Sequence, residues 1–219
     1  MKLLDEIIDS LSSESSSLTD ALLKTKVLLH KIGHQELTQW VNHELNGYPD
    51  ASVVPSYRVL PAQVLANAAS IAYQFSGHPI PLGHLTSEQR QSLQTAKMGQ
   101  SLAELEKLTR AKKGTLVNRI PMEWNGLLGK GLAKGVQIQQ AWSEISAASI
   151  SGIFVQVRSR LLHFLLPLQE KLKGTKDEEE IRKKSNAINA AEMFKDAIFG
   201  DNVTIVVGTD NTVVSWAKC

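Results

Sequence analysis

One segment resembles a phosphate-binding loop, because glycines and a lysine follow one another in Gly126-Leu-Leu-Gly129-Lys130-Gly131. A Walker-type phosphate loop needs Ser or Thr directly after the Gly-Lys pair and a strand before the loop. Gly131 stands where the Ser or Thr would be, and the sequence predicts no strand before the segment. We therefore interpret it as a glycine-rich turn in which two stretches of backbone pack closely, with anion binding as the alternative.

The histidines and the single cysteine have the chemistry of metal ligands and nucleophiles. His30 and His34 are four residues apart, a spacing at which two imidazoles on one helix can bind the same metal ion. Gly33 is expected to end the helix between them, and no carboxylate stands at a suitable spacing. Cys219 would need a neighbouring base and an oriented site to act as a nucleophile. The sequence therefore predicts no catalytic residue, metal site or cofactor, and it favours a non-enzymatic role.

Four basic residues are candidates for binding an anion: Lys130, Lys134, Arg158 and Arg160. The two arginines interrupt the most apolar window of the sequence, Ile145–Leu168. We favour the interpretation that they border a buried face and pair with acidic groups. Contact with a phosphate or an acidic partner is the alternative. The net charge of +2 is too small to indicate a nucleic-acid-binding surface by itself.

The arginines lie in a long stretch, Val136–Lys173, around which we expect the fold to be organised. Apolar residues recur there in steps of three and four, which is typical of a helix face. Two adjacent apolar lines predict a wide buried face, and so the central helix of a helical body. Ser151-Gly152 could interrupt this helix, and Pro167 is expected to kink or break it. The first line is Ala147, Ile150, Phe154, Val157, Leu161, Phe164 and Leu168, and the second is Ala141, Ile145, Ala148, Val155, Leu162 and Leu166.

Shorter helices are predicted on both sides of this stretch. Three amphipathic helices fill the region from the N-terminus to Asn46, with Ser17 capping the second and Gly33 ending it. One long helix is expected from Thr86 to about Lys113. Beyond Gly174, one last helix is expected to be capped by Thr175 and to run to about Phe199.

A proline-rich region between Tyr48 and Leu85 separates the N-terminal helices from the rest. Tyr57–Leu65 and Ile71–Phe75 have strand propensity, and Asn67 offers a turn between them. The sequence therefore predicts a small β-hairpin insert, in which Pro61 makes the first strand an edge strand or an interrupted one.

The last stretch, GDNVTIVVGTDNTVVSW, differs from everything before it. Val203–Val207 and Thr212–Ser215 are predicted strands, separated by the turn Gly208–Asn211. A lone two-stranded hairpin is marginal in water, and uncharged β-branched segments tend to pair with other strands. The tail therefore either joins the sheet of its own chain or pairs with tails of other copies. The second alternative makes it an oligomer interface of Val203, Ile205, Val207, Val213, Val214 and Trp216.

The composition indicates a soluble protein of a reducing compartment, and we expect it in the cytoplasm. Asp5, Glu6 and Asp9 interrupt any signal-peptide pattern at the N-terminus. The two arginines in the most apolar window argue against a membrane span, since each would cost about 2.5–3.5 kcal/mol there. A single cysteine can form no internal disulfide.

Several stretches also resemble a known family. They are LLDEIIDSLSSESSSLTDALLKTKVLLHKIGHQELTQWVNHELNGYPD, YRVLPAQVLAN, SGHPIPLGHL, NGLLGKGLA and VRSRLLHFLL, followed by NAAEMFKDAIFGDNVTIVVG near the end. In this order they resemble the AbiTii family of bacterial abortive-infection proteins. The resemblance implies a role in phage defence, in which an infected cell arrests or dies. It implies no catalytic residue in this chain.

Together these features predict a mainly α chain of the α+β class: a helical bundle with a long central helix, a β-hairpin insert near 55–80 and a short C-terminal β tail. We expect residues 1–199 to form the helical domain, with the insert at about 50–85, and residues 200–219 to form the tail. The expected function is that of a non-enzymatic abortive-infection component that associates with itself through the tail.

Two alternatives to this function come from other classes. The first is a nucleic-acid-binding or nuclease-type toxic effector, which would also use Arg110, Lys112 and Lys113. The second is a sensor of a nucleotide or a phage protein at the glycine-rich segment. A neighbouring defence protein is the alternative partner to a second copy of the chain.

Overall fold

The computed structural model of the chain describes residues 2–13, 15–34, 37–50, 53–110, 115–175 and 178–200, with the backbone alone at Glu178. The helices in these ranges are α1 (Lys2–Ser12), α2 (Leu18–Lys31), α3 (Thr38–Asn46), α4 (Ser87–Gln94), α5 (Leu102–Arg110), α6 (Asn125–Gly129), α7 (Ala147–Lys171), α8 (Glu178–Ala187) and α9 (Ala190–Phe199). The strands are β1 (Val59–Pro61), β2 (Gln63–Ala69), β3 (Gln74–Pro79), β4 (Thr95–Lys97), β5 (Thr115–Arg119) and β6 (Gln137–Ser146).

The described chain divides into two compact units. The helical unit comprises the described residues of 2–57, 99–106 and 152–200, and the sheet unit comprises those of 58–98 and 107–151. The combination is a mixed α+β fold, in which the sheet is larger than the predicted insert. The predicted β tail, residues 201–219, lies outside the described residues.

The first three helices of the helical unit follow the local signals in the sequence. The hydroxyl of Ser17 accepts a hydrogen bond from the backbone N–H of Asp20 at 3.1 Å, which confirms the predicted cap of α2. Gly33 and Gly47 follow α2 and α3 with φ of +87° and +92°, a backbone conformation that L side chains rarely adopt. Helix α3 begins at Thr38 rather than near residue 35. Residues 35 and 36 lie outside the described ranges.

The predicted central helix is wrong in its first part, which is strand β6. Ala141, Ser143 and Ile145 are buried and alternate with more exposed neighbours, so residues 137–146 have the two-residue period of a strand. Helix α7 begins only at Ala147. It then runs without a break through Ser151-Gly152 and Pro167, so the interruption and the break expected there are wrong.

The second apolar line predicted for α7 is also wrong, because it faces outward. Val155 and Leu166 are 62% and 49% exposed, respectively. The buried line lies on the opposite side of the helix and includes Ile153, Val157, Leu161, Phe164, Leu165, Leu168 and Leu172. α7 therefore buries one face of ordinary width and leaves apolar residues on the other.

The sheet unit contains a four-stranded antiparallel sheet in the order β3-β2-β6-β5. β2 and β3 form the hairpin of the predicted insert. The predicted turn at Asn67 is wrong: Asn67 lies within β2, where its side-chain oxygen accepts a hydrogen bond from Gly77 N–H at 3.0 Å. Pro61 does interrupt the strand, since β1 ends there and pairs with β4 in a separate two-stranded sheet. One face of the large sheet packs on a core that includes Leu128 of α6.

Two predicted long helices are broken. Thr86 and Gln89 form a capping box at the predicted start of the helix, but α4 ends at Gln94, and Thr95–Lys97 pairs with β1 before α5 begins. The last helix is divided into α8 and α9 at Asn189, which has φ of +52° and caps α9 through its side chain. Among the described residues, no helix has both the length and the apolarity needed to cross a membrane.

Candidate functional site

The predicted tail begins where α9 ends, and contacts from α7 fix that point. Nη1 of Arg160 in α7 donates to the carbonyl oxygen of Ile198, in the last turn of α9, at 2.6 Å. Such carbonyls have no partner within their own helix, and a cation beside them is favourable. Gly200 follows with φ of +63°, and a Cβ built on it would lie 3.6 Å from the same nitrogen of Arg160. The position from which the tail starts is therefore set by α7.

The guanidinium group of Arg160 lies against an aromatic ring whose hydroxyl belongs to a part-buried hydrogen-bond network. It lies 5.0 Å from the centroid of the Tyr57 ring, within the range of a cation–π contact. The Tyr57 hydroxyl accepts from Trp40 Nε1 at 2.9 Å and donates to Glu44 Oε1 at 2.7 Å. The Tyr48 hydroxyl donates to the same carboxylate oxygen at 2.6 Å. We call Trp40, Glu44, Tyr48, Tyr57 and Arg160 the tail anchor.

Glu44 is the buried centre of the tail anchor. Its relative exposure is 0%, although it lies on α3 between residues that the sequence assigns to the apolar face. A buried carboxylate is costly unless hydrogen bonds replace its water, and the two tyrosine hydroxyls supply such bonds. The anchor therefore links α3 to α7 through a buried carboxyl group that two tyrosine hydroxyls hydrogen-bond.

Aromatic packing holds α9 in the same place. The ring of Phe194 meets Trp40 edge to face at 5.8 Å and Phe164 at 5.0 Å between centroids. Phe194 is 1% exposed. Hence α9 is fixed by apolar contacts along its length and by Arg160 at its end.

His43 lies next to the anchor and has a shifted acid–base equilibrium. Its ring packs against Tyr48 with 5.0 Å between centroids. Burial lowers the pKa of His43 below its ordinary value of 6.5, and the nearby Glu44 carboxylate opposes this shift. The surroundings of His43 therefore favour the neutral imidazole.

Arg158, near the middle of α7, binds the end of α1 and the turn that follows it. Its Nη1 donates to the carbonyl oxygens of Ser10 at 3.2 Å and Ser13 at 3.1 Å, and its Nη2 donates to that of Ser16 at 2.5 Å. The described side-chain hydrogen bonds of both arginines are thus with main-chain carbonyls, where we expected acidic side chains. Anion binding by Arg158 and Arg160 stays a prediction.

The other two predicted anion ligands, Lys130 and Lys134, are exposed residues of the sheet unit. They follow α6, which occupies most of the glycine-rich segment. A Cβ on Gly131 would lie 2.6 Å from the carbonyl oxygen of Pro81 and 2.7 Å from the ring of His84. The interpretation of close backbone packing is therefore confirmed at Gly131. Anion binding by the two lysines stays a prediction.

His30 and His34 are not brought together as a metal site. His34 is buried, with Nε2 at 3.1 Å from the hydroxyl of Ser185, whereas His30 is exposed. His84 Nε2 lies 2.9 Å from the carbonyl oxygen of Leu127. Within the described ranges, no group of three or more His, Cys, Asp or Glu side chains could hold a metal ion. Cys219 lies outside those ranges.

The predicted tail interface also lies outside the described residues. It comprises Val203, Ile205, Val207, Val213, Val214 and Trp216. Sequence reasoning missed Glu44, Tyr48 and Tyr57 as a connected set. The available signal was the four-residue spacing of Glu44 and Tyr48, together with a carboxylate on the face of α3 that carries Trp40.

Comparisons with known proteins place the chain in a family. A search of curated proteins and a search of solved structures each found no match. A family model described as AbiTii matches residues 2–193, which include the tail anchor, the sheet unit and the helical unit up to the start of α9. That match covers most of the 219 residues. The chain therefore belongs to the AbiTii family.

Proposed function

We propose that this protein acts in abortive infection by associating with copies of itself through its tail. Family membership indicates a role in abortive-infection defence against phage. The proposal adds the means: Val203–Val207 and Thr212–Ser215 form strands that pair between copies. Main-chain hydrogen bonds would give such pairing its strength, as in other cases of strand addition.

The observation that carries the proposal is the composition of the tail. VTIVV combines four β-branched apolar residues with a β-branched threonine and has no charge, proline or glycine. Segments of this kind favour intermolecular strand pairing. The contacts of Arg160 near Gly200 support the proposal. They fix the point at which the tail leaves α9, so paired tail strands would start from the same position in every copy.

The experiment is a phage challenge of cells that express the full chain or a tail variant. Ile205→Asp places a charge in the middle of the first tail strand, and we expect it to abolish protection. Thr209→Asp introduces the same charge in the predicted turn and is the matched control, expected to protect as the natural chain does. Equal protection by Ile205→Asp and the natural chain, at equal protein levels, would contradict the proposal.

A further inference from the structure

The two edges of the four-stranded sheet differ in how they are protected against a further strand. β3 forms one edge and β5 forms the other. An edge strand presents a row of main-chain N–H and C=O groups that can pair with another chain. Native sheets blunt such edges with prolines, bulges or charged side chains. An edge that lacks these features is a site for the addition of a strand.

The β3 edge is blunted along its length. The N–H of Ile80 donates to the carbonyl oxygen of Val64 in β2, so the main chain of the residue before it points outward. That residue is Pro79, which has no N–H to offer. Gly77 N–H is used by the side-chain oxygen of Asn67, and the pairing register with β2 shifts midway along the strand. β3, which the structure describes in full, therefore has no regular row of free donors.

The β5 edge is open and regular. Its five residues pair with β6 in an unbroken antiparallel register and include no proline. The N–H of Ile120, the next residue, donates to the carbonyl oxygen of Ala141 at 3.0 Å. Since inward and outward groups alternate, the main-chain groups of Thr115, Val117 and Arg119 point away from β6. Among the residues that the structure describes, these outward groups have no main-chain partner.

We propose that the first tail strand of a second copy, Val203–Val207, adds to the sheet along β5. The tail segment and β5 each have five residues, so their main-chain groups can pair along the whole of β5. Residues 201–219 follow α9 and supply this β-branched, uncharged segment close to its end. That the tail comes from another copy rests on the proposed function. The β5 edge is the surface that receives it.

The charges near the two segments favour this pairing. From residue 107 to residue 122 the sequence has five basic residues and no acidic one. Arg119 ends β5, and the other four precede the strand. In the tail, Asp201 comes before the first strand and Asp210 after it. An acidic residue would therefore approach a basic end of β5 in either direction of pairing, and opposite charges across strands are favourable.

A second β5 is a poorer partner for the same edge. Two antiparallel β5 strands would set the basic residues before one strand beside Arg119 of the other. Like charges opposite each other across strands are destabilising. The tail meets the edge without this repulsion, because Asp201 and Asp210 are acidic.

Strand addition of this kind makes the contact between copies heterologous. Each copy donates a tail strand and receives another on β5, so the donor and acceptor surfaces differ. Copies can then exchange tails in pairs, or pass them on around a ring or along a filament. In an exchanged pair or a ring, every β5 edge is covered.

Proline at position 117 tests the β5 edge. Val117→Pro removes an N–H that points away from β6, so the sheet loses no hydrogen bond of its own, and edge strands tolerate such a proline. Val117→Thr keeps the N–H and the β-branched shape, and it is the matched control. By light scattering at one protein concentration, the mass of Val117→Pro should fall to that of Ile205→Asp. The mass of Val117→Thr should match that of the natural chain, and thermal unfolding checks that both variants are folded.

An unchanged mass for folded Val117→Pro, beside a lowered mass for Ile205→Asp, would overturn the β5 contact. The proposed association through the tail would then still stand. Equal masses for the natural chain and Ile205→Asp would overturn both.

Disulfide cross-linking tests the same pairing without a proline. In a Cys219→Ser background, Val117→Cys mixed with Ile205→Cys should give mixed covalent dimers, because directly paired positions lie within disulfide distance. We expect cross-linking at least about tenfold faster in the mixture than in either variant alone, since proximity sets the rate. Asn118→Cys is the matched control for Val117→Cys: it is exposed, but its side chain lies on the other face of the sheet. It should cross-link to Ile205→Cys more slowly.

The other cross-linking results identify other partners. Faster cross-linking of Ile205→Cys with itself would show that tails pair with tails. Faster cross-linking of Val117→Cys with itself would show that two β5 edges pair. Either result would overturn the β5–tail contact. A chain with both cysteines that forms the disulfide within itself, at the mass of a monomer, would contradict the second copy and the proposed function as well.

Discussion

At the scale of single residues, the helical unit is fixed by side chains that bind main-chain carbonyls. Arg158 binds the carbonyl oxygens of the turn after α1, and Arg160 binds that of Ile198. We expected acidic partners for both arginines, because acidic side chains are the partners that can be identified from a sequence. Every residue carries a carbonyl, so the sequence cannot indicate which ones an arginine will reach. A guanidinium group has five N–H donors and readily serves several carbonyls at once.

The tail anchor predicts a large cost for removing its carboxylate. Replacement of Glu44 by Leu removes the buried carboxylate oxygen that accepts hydrogen bonds from the hydroxyls of Tyr48 and Tyr57. We expect the free energy of unfolding to fall by about 3 kcal/mol, since buried groups left unpaired lose their full hydration. Urea unfolding of the purified protein measures this change. Tyr48→Phe removes one donor and keeps the carboxylate, so it should cost only about 1 kcal/mol.

His43 predicts a dependence of stability on pH. Because its pKa is lowered in the folded chain, the unfolded chain binds more protons between pH 6.5 and the folded pKa. The contribution of neutral His43 to the free energy of unfolding should therefore be complete above pH 6.5. It should decrease as the pH falls from 6.5 to the lowered pKa of His43 in the folded chain. Unfolding curves at a series of pH values measure the slope. His43→Gln should flatten it, and an unchanged slope in that variant would show that other groups cause it.

At the scale of elements, the sequence predicts those features that depend on near neighbours. The caps at Ser17 and Thr86, the ends at Gly33 and Gly47 and the strand break at Pro61 all follow from local chemistry, and the structure has each of them. The sequence did not predict strands whose formation depends on pairing with residues distant in the sequence. Residues 137–146 and 95–97 become strands because β2 and β1 pair with them. Their apolar residues alone also fit a helix.

The glycine-rich segment gives a prediction with a control in the same segment. Gly131→Ala would push a methyl group against the Pro81 carbonyl and the His84 ring, so we expect a loss of about 1–3 kcal/mol in the free energy of unfolding. Gly126→Ala meets no heavy atom within 4 Å and lies in α6, where alanine is favoured. It should leave stability unchanged or slightly raised. Equal losses for both variants would contradict the assigned packing.

At the scale of the whole molecule, the described chain consists of a helical unit, a sheet unit and a defined point from which the tail starts. The family match at residues 2–193 covers the sheet unit and most of the helical unit, and it ends within α9, before the tail. Family membership therefore applies to the two units and indicates a role in abortive-infection defence. The proposed means of action depends on Val203–Val207 and Thr212–Ser215, two segments rich in β-branched residues and without charge.

Light scattering coupled to size-exclusion chromatography tests this central proposal most directly. The full chain should elute with a mass well above 24.1 kDa, and the mass should fall when Ile205→Asp disrupts the first tail strand. The mass of Thr209→Asp should match that of the natural chain. If the natural chain and Ile205→Asp have the same mass at every concentration, the tail does not join copies of this protein.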